Sequence, residues 1–241
     1  MNKGVLIGVG VGVGDPEDLT LKAVKCIKES DVICLPRKDK LKCRAYLIVK
    51  EAVPEIEEKE LLGFEFEMIK DSGALQRMHR EIYEEIRKCI EEGKKVALLT
   101  IGDPTVYSTF MYIAEQARKD DIPVRIISGI TSFCASAARL GISLCEGDAP
   151  LYVISDARQF ERKSNLNGTT VVMKCGRVMA ELKDHLRKVE RELKVHGGFL
   201  EVYAVSDAGL PQEQRYFGLE ELPEEAPYMT TMIIKEIKRF T

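Results

Sequence analysis

Two short segments, Gly102-Asp103-Pro104-Thr105-Val106-Tyr107-Ser108-Thr109 and Gly129-Ile130-Thr131-Ser132-Phe133, constrain this chain more than any others. Each follows an apolar run and opens onto a helical pattern, so each reads as a turn from a strand into a helix. In α/β sheets such turns gather backbone N–H groups, small side chains and a helix N-terminus around a ligand. A third flexible turn, Gly10-Val11-Gly12-Val13-Gly14-Asp15-Pro16, stands near the start. Three turns of this kind imply a ligand site built from the ends of neighbouring strands.

The rest of the chain supports an α/β fold. Val5-Leu6-Ile7-Gly8-Val9 is a continuous apolar run of the kind that forms a buried parallel strand. Leu19, Ala23, Cys26 and Ile27 recur at helical spacing behind Asp15-Pro16-Glu17-Asp18, and Asp31–Leu35 forms a second strand closed by Pro36. Leu75, Met78, Ile82, Ile86, Cys89 and Ile90 mark a long amphipathic helix ended by Gly93. Val96–Thr100 leads into the Gly102 turn, and a helix over about 109–119 follows it. Val124–Ile127 then leads into the Gly129 turn and a small-residue helix over 132–140. Further strands are expected at Leu151–Ile154, Thr170–Met173, Val202–Val205 and Met229–Ile234, with a charged amphipathic helix over Val178–Val195. Strands alternating with helices argue for α/β architecture. The polar break near Asp120–Pro123 divides it into expected lobes of residues 1–120 and 121–241.

Composition narrows the chemistry. The chain has 241 residues, enough for a sizeable core, and a net charge of −3, which argues against broad nucleic-acid binding. No apolar run approaches the roughly 18–20 residues that cross a bilayer, and the opening Met1-Asn2-Lys3-Gly4 lacks a signal-peptide pattern. A cytoplasmic protein without a membrane partner is therefore expected. The seven cysteines are scattered, without CxxC spacing and far in sequence from the three histidines, so neither a disulfide framework nor a protein-bound metal is expected.

The turns themselves leave alternatives open. Gly10-Val11-Gly12-Val13-Gly14-Asp15 is not a dinucleotide fingerprint, because its third glycine comes one residue early and no ribose-gripping acid ends the next strand. Asp103 either caps the following helix or faces a ligand as hydrogen-bond acceptor or proton acceptor. The Gly129 turn is either an N-cap or a holder of a polar cofactor tail. The run Arg37-Lys38-Asp39-Lys40-Leu41-Lys42-Cys43-Arg44 is either a solvated face or a rim for carboxylates or phosphates. P-loop, HExxH, GxSxG and kinase signatures are all missing.

In combination the motifs resemble the tetrapyrrole methylase family, whose members use S-adenosylmethionine on the routes to cobalamin and sirohaem. The likeness covers essentially the whole chain. Gly10-Val11-Gly12-Val13-Gly14-Asp15-Pro16-Glu17-Asp18-Leu19-Thr20-Leu21-Lys22-Ala23 is close to the family's opening GxGPGDPELLTLKA, with Val13 in place of a proline. Gly102-Asp103-Pro104 follows, and Ser128-Gly129-Ile130-Thr131-Ser132 is close to PGxTS, with Ser128 in place of its proline. Tyr107–Tyr112, Phe133–Ile142 and Glu146-Gly147-Asp148 resemble the branch that methylates C20 of precorrin-2 or of its cobalt-bearing counterparts.

The resemblance implies two α/β lobes with the donor in the cleft between them, a homodimer, and S-adenosylhomocysteine as product. It places donor contacts on Ile101, Gly102, Asp103, Val106 and Tyr107, then on Thr131 and Ser132. In the second lobe the matching positions are Lys174, Cys175, Asp207, Ala208, Tyr228, Met229 and Thr230. Substrate contacts fall on Gly12, Val13 and Gly14, with Arg37 and Lys38 suited to a polycarboxylate tetrapyrrole. Methyl transfer to carbon asks chiefly for positioning at about 3–3.5 Å, so no single side chain need dominate, and Asp103 is the candidate orienter or proton acceptor. Methylation at C11 or C17, a diphthine synthase-like activity, and a non-catalytic donor-binding module are the rival readings.

Overall fold

The computed structural model describes residues 4–66, 71–160 and 168–237, and the chain divides into two compact units, Met1–Thr131 and Ser132–Thr241. The first contains β1 (Val5–Gly10), α1 (Leu21–Glu29), β2 (Val32–Leu35), α2 (Arg44–Ala52) and β3 (Glu60–Gly63). It continues with α3 (Ser72–Glu91), β4 (Lys95–Thr100), α4 (Phe110–Lys119) and β5 (Val124–Ile127). Its five strands pair in the order β3-β2-β4-β1-β5, and every pairing is parallel.

The apolar runs explain the parallel sheet. β1 and β2 are buried at every position, as strands covered on both faces must be. Alternate residues serve opposite faces: Val5, Ile7 and Val9 pack with Ala23 and Ile27 of α1 and Tyr46 and Val49 of α2. Leu6 packs instead with Ile82, Ile86 and Ile90 of α3 and Phe110, Ile113 and Ala117 of α4. Local chemistry sets the helix ends. Thr20 Oγ1 accepts from the Ala23 amide at 3.1 Å to start α1, and Asp71 Oδ1 accepts from the Ala74 amide at 2.7 Å to start α3.

The second unit contains α5 (Ser132–Leu140), β6 (Leu151–Ile154), β7 (Gly168–Val172), α6 (Met179–Val195), β8 (Phe199–Ser206), β9 (Gln214–Phe217) and β10 (Thr230–Ile237). The sheet order is β6-β7-β10-β8-β9, with β6 and β7 parallel and the other pairings antiparallel. The short β8–β9 connection has no room for a crossover helix, so that pair must be antiparallel. Met179, Leu182 and Leu186 of α6 bury against Val172, Val202, Ala204, Met232 and Ile234. No helix of the described residues is long and apolar enough to cross a membrane.

Three elements depart from the sequence reading. α2 and β3 lie between the basic run and α3, where the sequence reading places no element, and β9 lies in a polar stretch. β5 follows the polar break at 120–123 yet pairs with β1, and the compact units divide after Thr131. The break is a tight helix-to-strand turn: the Ile122 amide donates to the Ala117 carbonyl at 2.9 Å and the Leu6 amide to that of Pro123 at 3.0 Å.

Candidate functional site

In the first unit, β1 lies between β4 and β5, so the three glycine turns leave the same edge of one parallel sheet. Their contact is close because side chains are missing. A Cβ on Gly10 would stand 2.5 Å from the Gly102 carbonyl oxygen and 2.6 Å from the Gly129 nitrogen, both of them backbone. The Gly102 amide donates to the Gly12 carbonyl at 2.7 Å, and the Val11 amide to that of Thr100 at 3.0 Å. Gly102 itself has φ +74 and faces open space, with only the Ile130 oxygen as near as 4.0 Å to a Cβ built there. The first turn is therefore strapped to the second, and the second leaves room beside its backbone. Gly12, Val13 and Gly14 are all buried in this strapped turn.

Asp103 joins the second turn to the third. It is 8% exposed. Its Oδ1 accepts from the Thr105 amide at 2.8 Å and from the Thr105 hydroxyl, and its Oδ2 accepts from the Gly129 amide at 3.0 Å. Burial alone would raise its carboxyl; the hydrogen bonds from Thr105, Gly129 and the Ser128 side chain outweigh that and hold it below its ordinary value. Asp103 is thus an ionised clamp with its oxygens engaged, a geometry that suits an orienter. It does not cap α4. The N-cap residue is Thr109, whose side chain makes no cap bond; Ser108 Oγ, one residue before it, accepts from the Phe110 amide at 3.2 Å and lies 3.0 Å from Thr100 Oγ1.

The remaining residues of this edge are uneven in exposure. Ile101 packs against the core, Val106 is half-buried, and Tyr107 is exposed at φ 48. A bulky residue in the left-handed region is held there by its surroundings, and such outliers gather at ligand sites. Among the described residues Thr131 Oγ1 and Ser132 Oγ, both buried, lack hydrogen-bond partners, so neither hydroxyl acts as an N-cap for α5. Orphaned hydroxyls of this kind call for a ligand or solvent partner. The basic run lies after β2: Arg37 pairs with Glu65 at 3.0 Å, Lys42 with Asp39 at 3.5 Å, and Lys40 sits 5.6 Å from the centroid of the Tyr46 ring. Lys38 is exposed.

The second unit gathers its own set. Antiparallel pairing puts the end of β7, the end of β8 and the start of β10 at one edge. The Cys175 amide donates to the Thr230 carbonyl at 3.1 Å, and the Asp207 amide to that of Met229 at 3.0 Å. Ser206 Oγ and Thr230 Oγ1 lie 2.8 Å apart, and Thr230 Oγ1 also donates to the Pro227 carbonyl at 2.6 Å. Lys174, Cys175, Asp207, Ala208, Tyr228, Met229 and Thr230 are thereby neighbours along this edge. Lys174 and Asp207 both adopt positive φ, at 55 and 49. Burial pushes the Cys175 thiol up to about 12, which makes it an inert packing group.

Sequence reasoning missed Thr105, Ser128 and Arg177. Ser128 was visible only as a departure from a proline-containing motif, yet its side chain bonds Asp103. Arg177 holds its guanidinium carbon 5.0 Å from the Tyr228 ring centroid, a pairing no spacing rule points to. Among the described residues no group of three His, Cys, Asp or Glu side chains could hold a metal ion.

Residues 5–223 match the family description "Tetrapyrrole (Corrin/Porphyrin) Methylases". A Methanocaldococcus jannaschii protein named "Probable cobalt-precorrin-2 C(20)-methyltransferase" is 41% identical over 72% of this chain and 74% of its own length. The Salmonella typhimurium "Cobalt-precorrin-2 C(20)-methyltransferase" is 27% identical over 97% of both chains. Among solved structures, a Thermus thermophilus uroporphyrin-III C-methyl transferase complexed with S-adenyl homocysteine superposes with a TM-score of 0.66. That match has 24% identity and covers 96% of this chain and 97% of the other.

Proposed function

The chain belongs to the tetrapyrrole methylase family, and from that premise we propose that it methylates C20 of precorrin-2 or a cobalt-bearing counterpart, with S-adenosylmethionine as donor, in cobalamin biosynthesis. The observation that carries this reading is the 41% identity, over 72% of the chain, to a relative named as a cobalt-precorrin-2 C(20)-methyltransferase; the Asp103 clamp, which fixes the turns after β4 and β5 around the open side of Gly102, is consistent with it. The residues suit such a donor. Thr131 and Ser132 offer unpartnered hydroxyls, and Gly102 offers backbone without a side chain in the way. When bound, the donor supplies an electrophilic methyl group on a positive sulfonium.

What the chain contributes is binding and orientation. Asp103 holds the two turns in one arrangement before any ligand arrives, so little ordering is left for the binding step. The carboxylate is held by Thr105, Gly129 and Ser128, which makes it a poor proton acceptor and a good positioning group. Ile101, Val106 and Tyr107 supply further contacts on the β4 side. Gly12, Val13 and Gly14, with Arg37 and Lys38 on the basic run, belong to the macrocycle. A homodimer in the cytoplasm completes the proposal.

One experiment decides it. Purified protein is incubated with methyl-labelled donor and either precorrin-2 or cobalt-factor II, and the labelled carbon is located by NMR. A label at C20 is expected. A label at C11 or C17 reassigns the position, and donor binding without label transfer leaves only a binding module.

A further inference from the structure

Among the described residues of the second unit, both buried lysines have partners and the half-buried Lys174 has none. Lys183 Nζ donates to the Leu222 carbonyl at 2.6 Å and lies 3.5 Å from Glu224, and Lys235 lies 3.3 Å from Glu146. Lys174 is half-buried, yet among the described residues it forms no hydrogen bond or ion pair, and burial alone pulls its ammonium below the ordinary lysine value. Its backbone is fixed in the left-handed region at φ 55, directly before the Cys175 amide that anchors on Thr230. Arg177 stands on the same loop, stacked on Tyr228 and likewise without an ion pair among the described residues. A partly desolvated cation without an anion is unfavourable until one arrives, and a backbone conformation this uncommon is kept only where surroundings impose it.

We propose that Lys174, with Arg177 three residues on, forms a carboxylate-binding subsite of the enzyme. The inference rests on the methyltransferase reading, which offers two sources of the same chemistry. The donor ends in an amino acid carboxylate, and the macrocycle carries several carboxylate arms. An ammonium on a short loop gives a point charge to either, and the guanidinium of Arg177 on the same loop offers a planar fork for carboxylate oxygens.

Calorimetric titration of the full chain, wild type against Lys174→Met and Lys174→Arg, separates the two. S-adenosylhomocysteine and 5′-methylthioadenosine share the nucleoside thioether, and only the first has the carboxylate. If the donor is the source, Lys174→Met weakens S-adenosylhomocysteine about ten- to hundredfold, leaves methylthioadenosine unchanged, and Lys174→Arg recovers most of the loss. If the macrocycle is the source, both nucleosides bind as before, while an absorbance titration with cobalt-factor II shows the weakening and a flatter salt dependence. Equal weakening of both nucleosides marks a purely structural role and overturns the subsite, as does unchanged binding of all three ligands. Wild-type protein that binds neither nucleoside overturns the donor reading, and the cobalt-factor II titration then decides the subsite by itself.

Discussion

Asp103 commits both carboxylate oxygens to holding two loops together, and its value to the site follows from that commitment. In Asp103→Asn one oxygen becomes an NH2, which donates and cannot accept, so the Thr105 or the Gly129 amide loses its acceptor. The expected cost is about 1–3 kcal/mol of stability and a similar share of donor affinity, read by denaturant unfolding and by titration with S-adenosylhomocysteine. The sign of the pH effect follows from a folded-state value below the ordinary 3.8. The stability is fully present above pH 4 or so, and is lost as the pH falls through the lower folded value. The stability difference between wild type and Asp103→Asn should therefore shrink on acidification; a difference constant down to pH 3 would contradict the clamp. The cysteines make a second residue-scale case. Cys134 and Cys145 are exposed, whereas burial raises the thiols of Cys34 and Cys175. Brief iodoacetamide treatment of the native protein should modify Cys134 and Cys145 and spare Cys34 and Cys175, as peptide mass mapping will report.

At the scale of elements, the site is a meeting of three turns that only glycine allows. Gly10→Ala puts a methyl within 2.5 Å of one backbone atom and 2.6 Å of another, so the strands themselves must shift. Gly102→Ala meets open space, and its cost is the left-handed backbone, on the order of 1–2 kcal/mol. Calorimetry should show the larger fall in melting temperature for Gly10→Ala. Gly102→Ala should fold and still lose donor affinity, because its methyl occupies the space beside the turn. The same scale explains what was legible. α5 is read from sequence at its observed bounds because small residues follow a turn signal at once. α2 was hidden by the basic run before it, and β9 by its polar edge composition, Gln214-Arg215-Tyr216-Phe217. An edge strand is defined by a partner's backbone rather than by its own apolar pattern.

For the whole molecule, the two units carry separate cores, one on each face of the first sheet and one under α6. Leu186 is completely buried in the latter, and Leu186→Ala should cost about 2–5 kcal/mol. Amide hydrogen exchange should then accelerate through β6 to β10 while β1, β2 and β4 keep their protection. Uniform acceleration across both sheets would mean that the two units unfold as one.

The sequence by itself determined the α/β class, most strand and helix positions, and the three turns whose order carries the family resemblance. Those signals are local: apolar periodicity, capping residues and glycine at turns are written in consecutive residues. Only the tertiary structure decided what the turns do to one another. The placement of β1 between β4 and β5 brings Gly129 to Asp103, and antiparallel pairing brings Lys174, Asp207 and Thr230 to one edge. The role of Ser128, and Lys174's lack of a partner among the described residues, emerge at that level alone. Hydrogen bonding and desolvation depend on neighbours distant in the chain, and no spacing within it records them.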